Sequence, residues 1–405
     1  MQIAIDIRHL TAPNPSGVGH YTIRLIEEMA SASRDDAFIL FASGRPRTLA
    51  NLPKFDAPNI QVVTRAIPNR VLYALLRLPG GPALEDFLSV KPDMWFFPNL
   101  NITRTRLPYA LAIHDLSFKI FPKFFTLKDR AWYRTARTER FIESANRLLA
   151  VSGSTKQDLV NLLKIDPSKI AVTHLGVDEI YCPDEQPSDK NYLNAHDIGF
   201  PYILTLSTLE PRKNIESVVE AYSSWRNQLS TDYCLLSTSR VPHLVIAGGR
   251  GWRSRSITDV IKRSKFQRDI HLIGYVPDRH KPALYRHADL LVFPSFYEGF
   301  GLPPLEALAC GTQVITSFTG SMPEVVGNAA VMIDPYDVAD LELAFDQMLN
   351  VGVTFRSPAR ADSLKAVPTS NAHSRQTCGI EQANKFQWYL TAQKTLAALK
   401  TLGVS

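Results

Sequence analysis

Short, uniformly apolar runs recur along the chain, separated by longer segments with helical spacing. In the first half the runs are IAIDI (3–7), FILFA (38–42), MWFF (94–97), ALAI (110–113), LLAV (148–151) and IAVT (170–173). Segments near 18–31, 128–146 and 154–163 place apolar residues every three or four positions, as a helix with one buried face requires. The second half repeats the scheme with YILTL, HLVIAG, IHLIG, LLVFPS, QVITS and AAVMI. Runs of this length alternating with helices predict parallel sheets covered by helices. Two such series predict an α/β chain of two doubly wound domains, 1–178 and 201–380. The polar, proline-bearing segment 179–200 reads as the linker and 381–400 as a final helix.

Ligands of open parallel sheets collect at the carboxyl ends of the strands, so the loops after the apolar runs carry the candidate chemistry. After LLVFPS comes FYEGFGLPPLEALACG. Gly299 and Gly301 permit a close backbone approach, and Pro303 and Pro304 suit a first helical turn. The short helix that follows directs its N-terminus at the loop, where a diphosphate-sized anion fits, with Glu298 at the mouth and Glu306 one turn inside. After YILTL, the sequence LEPRKNIESVVEAY sets Arg212 and Lys213 before a helix, where a fork and a point charge can clamp a diphosphate. Gly17 and Gly19 lie between the first strand and first helix, a weak signal that also suits a plain turn. His114 ends a strand, where a packing histidine is as common as a functional one. Ser154 with Gln157, and Ser321 with Glu324, have capping-box spacing.

The segment EGFGLPPLEALACG, continued by SMPEVVGNAAVMIDPYD, resembles the E-x7-E signature of the family 4 retaining glycosyltransferases of the GT-B fold. That resemblance implies two Rossmann-like domains facing across a cleft, with the last helix crossing back to the N-terminal domain. It implies that Glu298 binds donor-sugar hydroxyls and Glu306 the nucleotide ribose. The amides of Gly299, Phe300, Gly301 and Leu302 would serve the sugar and phosphates, Arg212 and Lys213 the leaving diphosphate. His114 would reach the donor sugar, and the glycine loop would face donor and acceptor. LEPRKN looks like the polysaccharide mannosyltransferase members, which makes GDP-mannose the favoured donor and an α-linked hexose the product. A non-catalytic nucleotide-sugar-binding protein and a GT-B epimerase stay open as alternatives.

Composition narrows the partners. Of 405 residues 45% are hydrophobic and 21% charged, a globular balance, and no apolar run is long enough to span a bilayer. The opening MQIAIDIRHL reads as a strand and not a signal peptide. Cys182, Cys234, Cys310 and Cys378 stand singly, which argues against a disulfide framework or metal site; a cytoplasmic protein with no bound cofactor and metal-independent catalysis is expected. The net charge of +6 points to an anionic partner, and segment 119–147 alone carries eight Lys/Arg against three Asp/Glu. There Arg130, Arg134 and Arg137 would form one stripe of a helix beside Phe121, Phe124, Phe125, Trp132 and Tyr133. This predicts peripheral attachment to an anionic membrane face presenting a lipid-linked saccharide acceptor, with a solvated helix face as the plainer alternative. No nucleic-acid motif accompanies the basic residues.

Overall fold

The computed structural model describes residues 1–13, 17–231, 241–252, 254–349 and 372–402. The chain divides into two compact units, Met1–Gly176 with Gln387–Ser405, and Val177–Phe386. In the first, β1 (Gln2–Asp6), β2 (Ala37–Ser43), β3 (Ile60–Arg65), β4 (Met94–Phe97), β5 (Tyr109–Ile113), β6 (Arg147–Ala150) and β7 (Ile170–Val172) form a seven-stranded sheet in the order β3-β2-β1-β4-β5-β6-β7. All its pairings are parallel. In the second, β8 (Tyr202–Leu206), β9 (His243–Ala247), β10 (Ile270–Gly274), β11 (Leu290–Phe293), β12 (Val314–Ser317) and β13 (Val331–Ile333) run in the order β10-β9-β8-β11-β12-β13, again all parallel. β4, β5, β8 and β11 are buried along their whole length, which explains their unbroken apolar sequences. β3 was not predicted. It is an edge strand with exposed positions, and its sequence IQVVTR carries polar residues where a central strand would not.

Several expectations need correction. The segment 179–200 is not a linker: it lies in the second unit and contains the helix Pro187–Ala195. Asp189 in that helix receives two hydrogen bonds from the Arg286 guanidinium, Nε to Oδ2 at 2.7 Å and Nη2 to Oδ1 at 2.8 Å. Both side chains are almost fully buried, so this polar sequence is pinned by a paired charge and not by an apolar stripe. The expected last helix 381–400 is two helices, Ala372–Ala383 in the second unit and Trp388–Lys400 in the first. Trp388 is buried there against helix Gly17–Ala32, its ring 6.2 Å from that of Tyr21.

The expected helix over 128–146 breaks. Helix Leu127–Thr135 starts with Thr126 capped by Asp129 and ends at Ala136; Arg137 is left-handed at φ 51°, and helix Thr138–Glu143 follows. The Thr138 hydroxyl donates to the Tyr133 carbonyl at 3.1 Å and closes the elbow. Arg130, Arg134 and Arg137 therefore do not share one helix. The aromatics are half-buried and pack on one another, with Phe118 and Tyr133 stacked at 4.3 Å. Helix Gly153–Leu163 is capped by Ser152, whose hydroxyl accepts from the Thr155 amide, and not by the expected Ser154.

Arg286→Met would strand the Asp189 carboxylate in the interior, at a cost of about 3–5 kcal/mol. Urea unfolding should show the loss in the second unit's transition, and pairing the change with Asp189→Leu should restore most of it.

Candidate active site

β8 and β11 are neighbours in the second sheet although two strands, β9 and β10, lie between them in sequence, so strand order reverses between them. In such sheets the crossovers leaving the two strands go to opposite faces, and a crevice opens at their carboxyl ends. The loops 207–214 and 294–301 both leave from that crevice. They carry the residues the sequence singled out.

Arg212 and Lys213 lie in the 3-10 turn Pro211–Lys213, and Asn214 follows at φ 57° before helix Ile215–Thr231. The Asn214 side chain fixes this turn, donating to the Pro335 carbonyl at 2.7 Å and accepting from Ser217 at 2.7 Å. The turn aims both cations at one carboxylate. Arg212 Nη1 donates to Glu298 Oε2 at 2.9 Å and to the Tyr297 carbonyl at 2.7 Å, while Nη2 reaches Glu210 at 3.0 Å. Lys213 Nζ donates to Glu298 Oε1 at 2.6 Å and lies 5.1 Å from the centre of the Phe293 ring. Glu298 is 8% exposed. Burial alone would raise its pKa, but Arg212 and Lys213 outweigh that and bring it down to about 2.

The glycine loop is shaped by close approaches. Gly301, at φ 104°, is the N-cap of helix Leu302–Ala309, and a Cβ there would collide with the Met322 side chain. Gly320, at φ 61°, lets its turn come so near Glu298 that a Cβ would sit 2.7 Å from the Glu298 carbonyl oxygen. Ser321 does not act as the expected capping-box partner of Glu324. Its hydroxyl instead donates to the carbonyls of Glu298 and Phe300, at 3.1 and 2.6 Å, and sets the loop's curvature. Pro303 and Pro304 carry no N–H, so the helix offers an anion fewer donors than an ordinary N-terminus. Any amide contribution has to come from the loop 299–302.

Glu306 lies on the inner side of that helix, 5% exposed, and accepts a hydrogen bond from the Tyr285 hydroxyl at 2.8 Å. Tyr181 lies near the same carboxylate; burial, then the charge of Glu306, holds its phenol well above the usual range. Lys281 is also near: burial lowers its pKa, but Glu306 and Asp278 raise it more. Lys281 and Tyr285 escaped the sequence reading because they lie in a helix without a motif, Lys281–Arg286, and Tyr181 because its segment reads as a linker. Beside the 211 turn opens a cavity of about 740 Å3 lined by Pro211, Glu216, Gly251, Ser254, Arg255 and Ser256.

His114, Gly17 and Gly19 lie in the first unit. His114 Nε2 is 2.8 Å from the Pro98 carbonyl, and since a carbonyl only accepts, that nitrogen carries the proton. Burial lowers the His114 pKa, against the smaller raising effects of Pro98 and Asp115, so a neutral ring keeps its lone pair on Nδ1. Its ring meets Tyr21 edge-on at 4.7 Å. Gly17 and Gly19 form the first turn of helix Gly17–Ala32, and a Cβ on Gly17 would meet only open space. Preceding residues 14–16 of the glycine loop lie outside the described residues. His9, after β1, was missed. Its Nε2 is 2.9 Å from the Thr22 hydroxyl, which already donates to Val18, so His9 donates too. Burial first, then His114 and Arg8, bring its pKa down to about 4 despite Asp6.

Two family models match the chain: "Glycosyltransferase Family 4" over residues 15–180 and "Glycosyl transferases group 1" over 191–361. The O-antigen chain mannosyltransferase B of Escherichia coli is 28% identical over 401 residues, 96% of each chain. Among solved structures, sucrose-phosphate synthase from Thermosynechococcus elongatus superposes with a TM-score of 0.71 at 18% identity, covering 99% of this chain and 98% of that one. The Anabaena Alr3699/HepE complex with UDP-glucose gives 0.67 at 16% identity, covering 99% and 100%. With both sheets and the crevice residues in place, these matches show that the chain belongs to the family 4 glycosyltransferases of the GT-B fold and resembles its bacterial mannosyltransferases.

Proposed function

We propose that this glycosyltransferase is a retaining hexosyltransferase that takes mannose from GDP-mannose and forms an α-linkage to a hydroxyl of a lipid-linked saccharide. The observation that carries the proposal is the convergence of Arg212, Lys213 and Glu298 at the reversal point of the second sheet. The mannose reading is supported by the Escherichia coli O-antigen mannosyltransferase, which matches end to end. A nucleotide-diphosphate donor is supported by the UDP-glucose complex of the Anabaena neighbour. Retention is supported by the likeness of the Glu298–Glu306 segment to the E-x7-E signature. The basic segment 119–147 supports peripheral attachment to the inner leaflet, where such an acceptor is presented. Among the described residues no helix is long and apolar enough to cross a membrane.

With no ligand between them, Arg212 and Lys213 pair with Glu298, and Arg212 also with Glu210. An arriving diphosphate competes with Glu298 for Arg212 and Lys213, and the displaced carboxylate becomes an acceptor for sugar hydroxyls. Both cations then face the leaving group as the bond from the anomeric carbon to the diphosphate oxygen breaks. The acceptor oxygen bonds to the same face of that carbon, and its proton passes to the departing diphosphate. The loop 299–302 would hold the sugar, and Glu306 the ribose. The cations and loop supply this stabilisation without a bound metal or cofactor.

A donor panel with purified protein, reading release of GDP, UDP or ADP, tests the assignment: transfer from GDP-mannose supports it, and another preferred nucleotide overturns the donor. Binding without turnover would leave the non-catalytic alternative. Arg212→Ala and Lys213→Ala should each slow transfer about 10- to 100-fold, and wild-type rates in both would place the phosphate clamp elsewhere. Glu298→Gln separates competition from a purely structural ion pair. Calorimetry should show tighter nucleotide-diphosphate binding, since the cations lose their competitor, while transfer falls. Its pH signature has a definite sign: a depressed carboxylate contributes stability that is full above its ordinary value of 4.5 and lost as pH falls toward about 2. Acid unfolding of Glu298→Gln should therefore lack that part of the wild-type slope between those values.

A further inference from the structure

The first unit contains a cavity of about 840 Å3 between the end of helix Asn69–Arg77, the loop before β5 and the elbow at Arg137. Five arginines line it, Arg77, Arg104, Arg134, Arg137 and Arg140, and neither a carboxylate nor a lysine does. Two of the five are engaged with helix ends: Arg77 donates to the Thr135 carbonyl at 3.1 Å and Arg104 to the Leu78 carbonyl at 2.7 Å. Among the described residues the side chains of Arg134, Arg137 and Arg140 make no hydrogen bond or ion pair. The Thr103 hydroxyl in the same wall is buried and likewise unpartnered.

The elbow is what gathers the three. On an unbroken helix, positions 134, 137 and 140 would fan apart by about 60° per step. The left-handed Arg137 ends one helix and starts the next, and all three line one cavity. A non-glycine residue in that conformation costs about 1–2 kcal/mol, so the turn is not what local preference would choose. The nearby lysines are not drawn in; Lys119, for one, pairs with Glu139 at 2.8 Å. Selection of guanidinium over ammonium suits planar, bidentate recognition of oxyanions. The volume is in the range of small-ligand pockets and admits a diphosphate with an attached sugar.

We propose that this cavity binds the diphosphate of the membrane-anchored acceptor, a second anion site on the unit that does not hold Arg212 and Lys213. The inference rests on the lipid-linked reading of the acceptor above. The five guanidiniums and the Thr103 hydroxyl provide donors to both phosphoryl groups, and half-exposed Leu78 in the wall is apolar where a lipid chain would leave.

The test uses the full chain and neutral phosphatidylcholine vesicles, alone, with a long-chain prenyl diphosphate, or with phosphatidylglycerol at equal surface charge. Co-sedimentation should be strongest with the prenyl diphosphate and be competed by inorganic pyrophosphate. The exposed pair Arg134→Gln/Arg140→Gln should weaken it about tenfold or more, while nucleotide-diphosphate affinity stays at the wild-type value. Unchanged prenyl-diphosphate binding in the variant would overturn the proposal. So would equal binding to phosphatidylglycerol, which would leave a general anionic-surface patch. Arg140→Lys adds a second readout: retained charge with lost fork geometry should cost prenyl-diphosphate binding but not phosphatidylglycerol binding, and equal retention of both would also count against the site. Failure of the wild type to release nucleotide from any donor would refute the catalytic reading while the vesicle comparison still decides the cavity.

Discussion

Parallel strands cannot be joined by tight turns, and each pair needs a crossover that returns the chain to the same end of the sheet. In the second unit this constraint is resolved by winding outward from β8 in one direction and from β11 in the other. The crevice between the two crossovers is a by-product of connectivity, and every candidate donor-side group depends on it. Arg212 and Glu298 are 86 positions apart in sequence, yet both sit one loop beyond adjacent strands. The Leu290–Ile203 and Leu291–Leu204 pairings set their separation more than any local preference does.

Buried charge is the recurring cost of this arrangement, and each case is met by a partner of fitting geometry. Asp6 and Arg8 pair in the first unit through two hydrogen bonds, Nε to Oδ1 at 2.8 Å and Nη2 to Oδ2 at 2.7 Å. Asp189 and Arg286 do the same in the second, joining a polar segment to the domain. The Glu298 cluster differs in kind. One carboxylate is shared by two cations, and Arg212 also binds Glu210 and the Tyr297 carbonyl. An anion entering this cluster would compete with carboxylates for both cations, whereas Asp189–Arg286 is a closed one-to-one pair. Glu306 differs again: it accepts a hydrogen bond from the neutral Tyr285 hydroxyl.

The first unit shows how a local break can gather side chains that a regular helix would disperse. Capping by Thr126 and Asp129 starts the helix, but the Arg137 turn ends it after nine residues. The resulting elbow moves arginines from a stripe into a concave wall. Near the carboxyl ends of β1 and β5 the same unit holds two half-buried histidines, His9 and His114, each donating from Nε2. Burial keeps both rings neutral in ordinary conditions, which suits hydrogen bonding to a sugar better than charge pairing.

The sequence by itself determined the positions of every strand but β3, because parallel strands covered by helices are largely apolar. It also determined the site loops, because glycine, proline and charge at strand ends follow from connectivity. Arg212, Lys213 and Glu298 were legible for that reason. What only the tertiary structure decided depends on contacts distant in sequence. The edge strand β3 has no apolar signature, since half its surface faces solvent. Helix Pro187–Ala195 joins the second unit through Asp189 and Arg286, 97 positions apart, so its own composition looked like a linker. Tyr285 and Tyr181 reach the neighbourhood of Glu306 from elements that carry no motif. The left-handed turn at Arg137 overrides a helical pattern that local spacing supports, because packing around the elbow outweighs a backbone preference of one or two kilocalories.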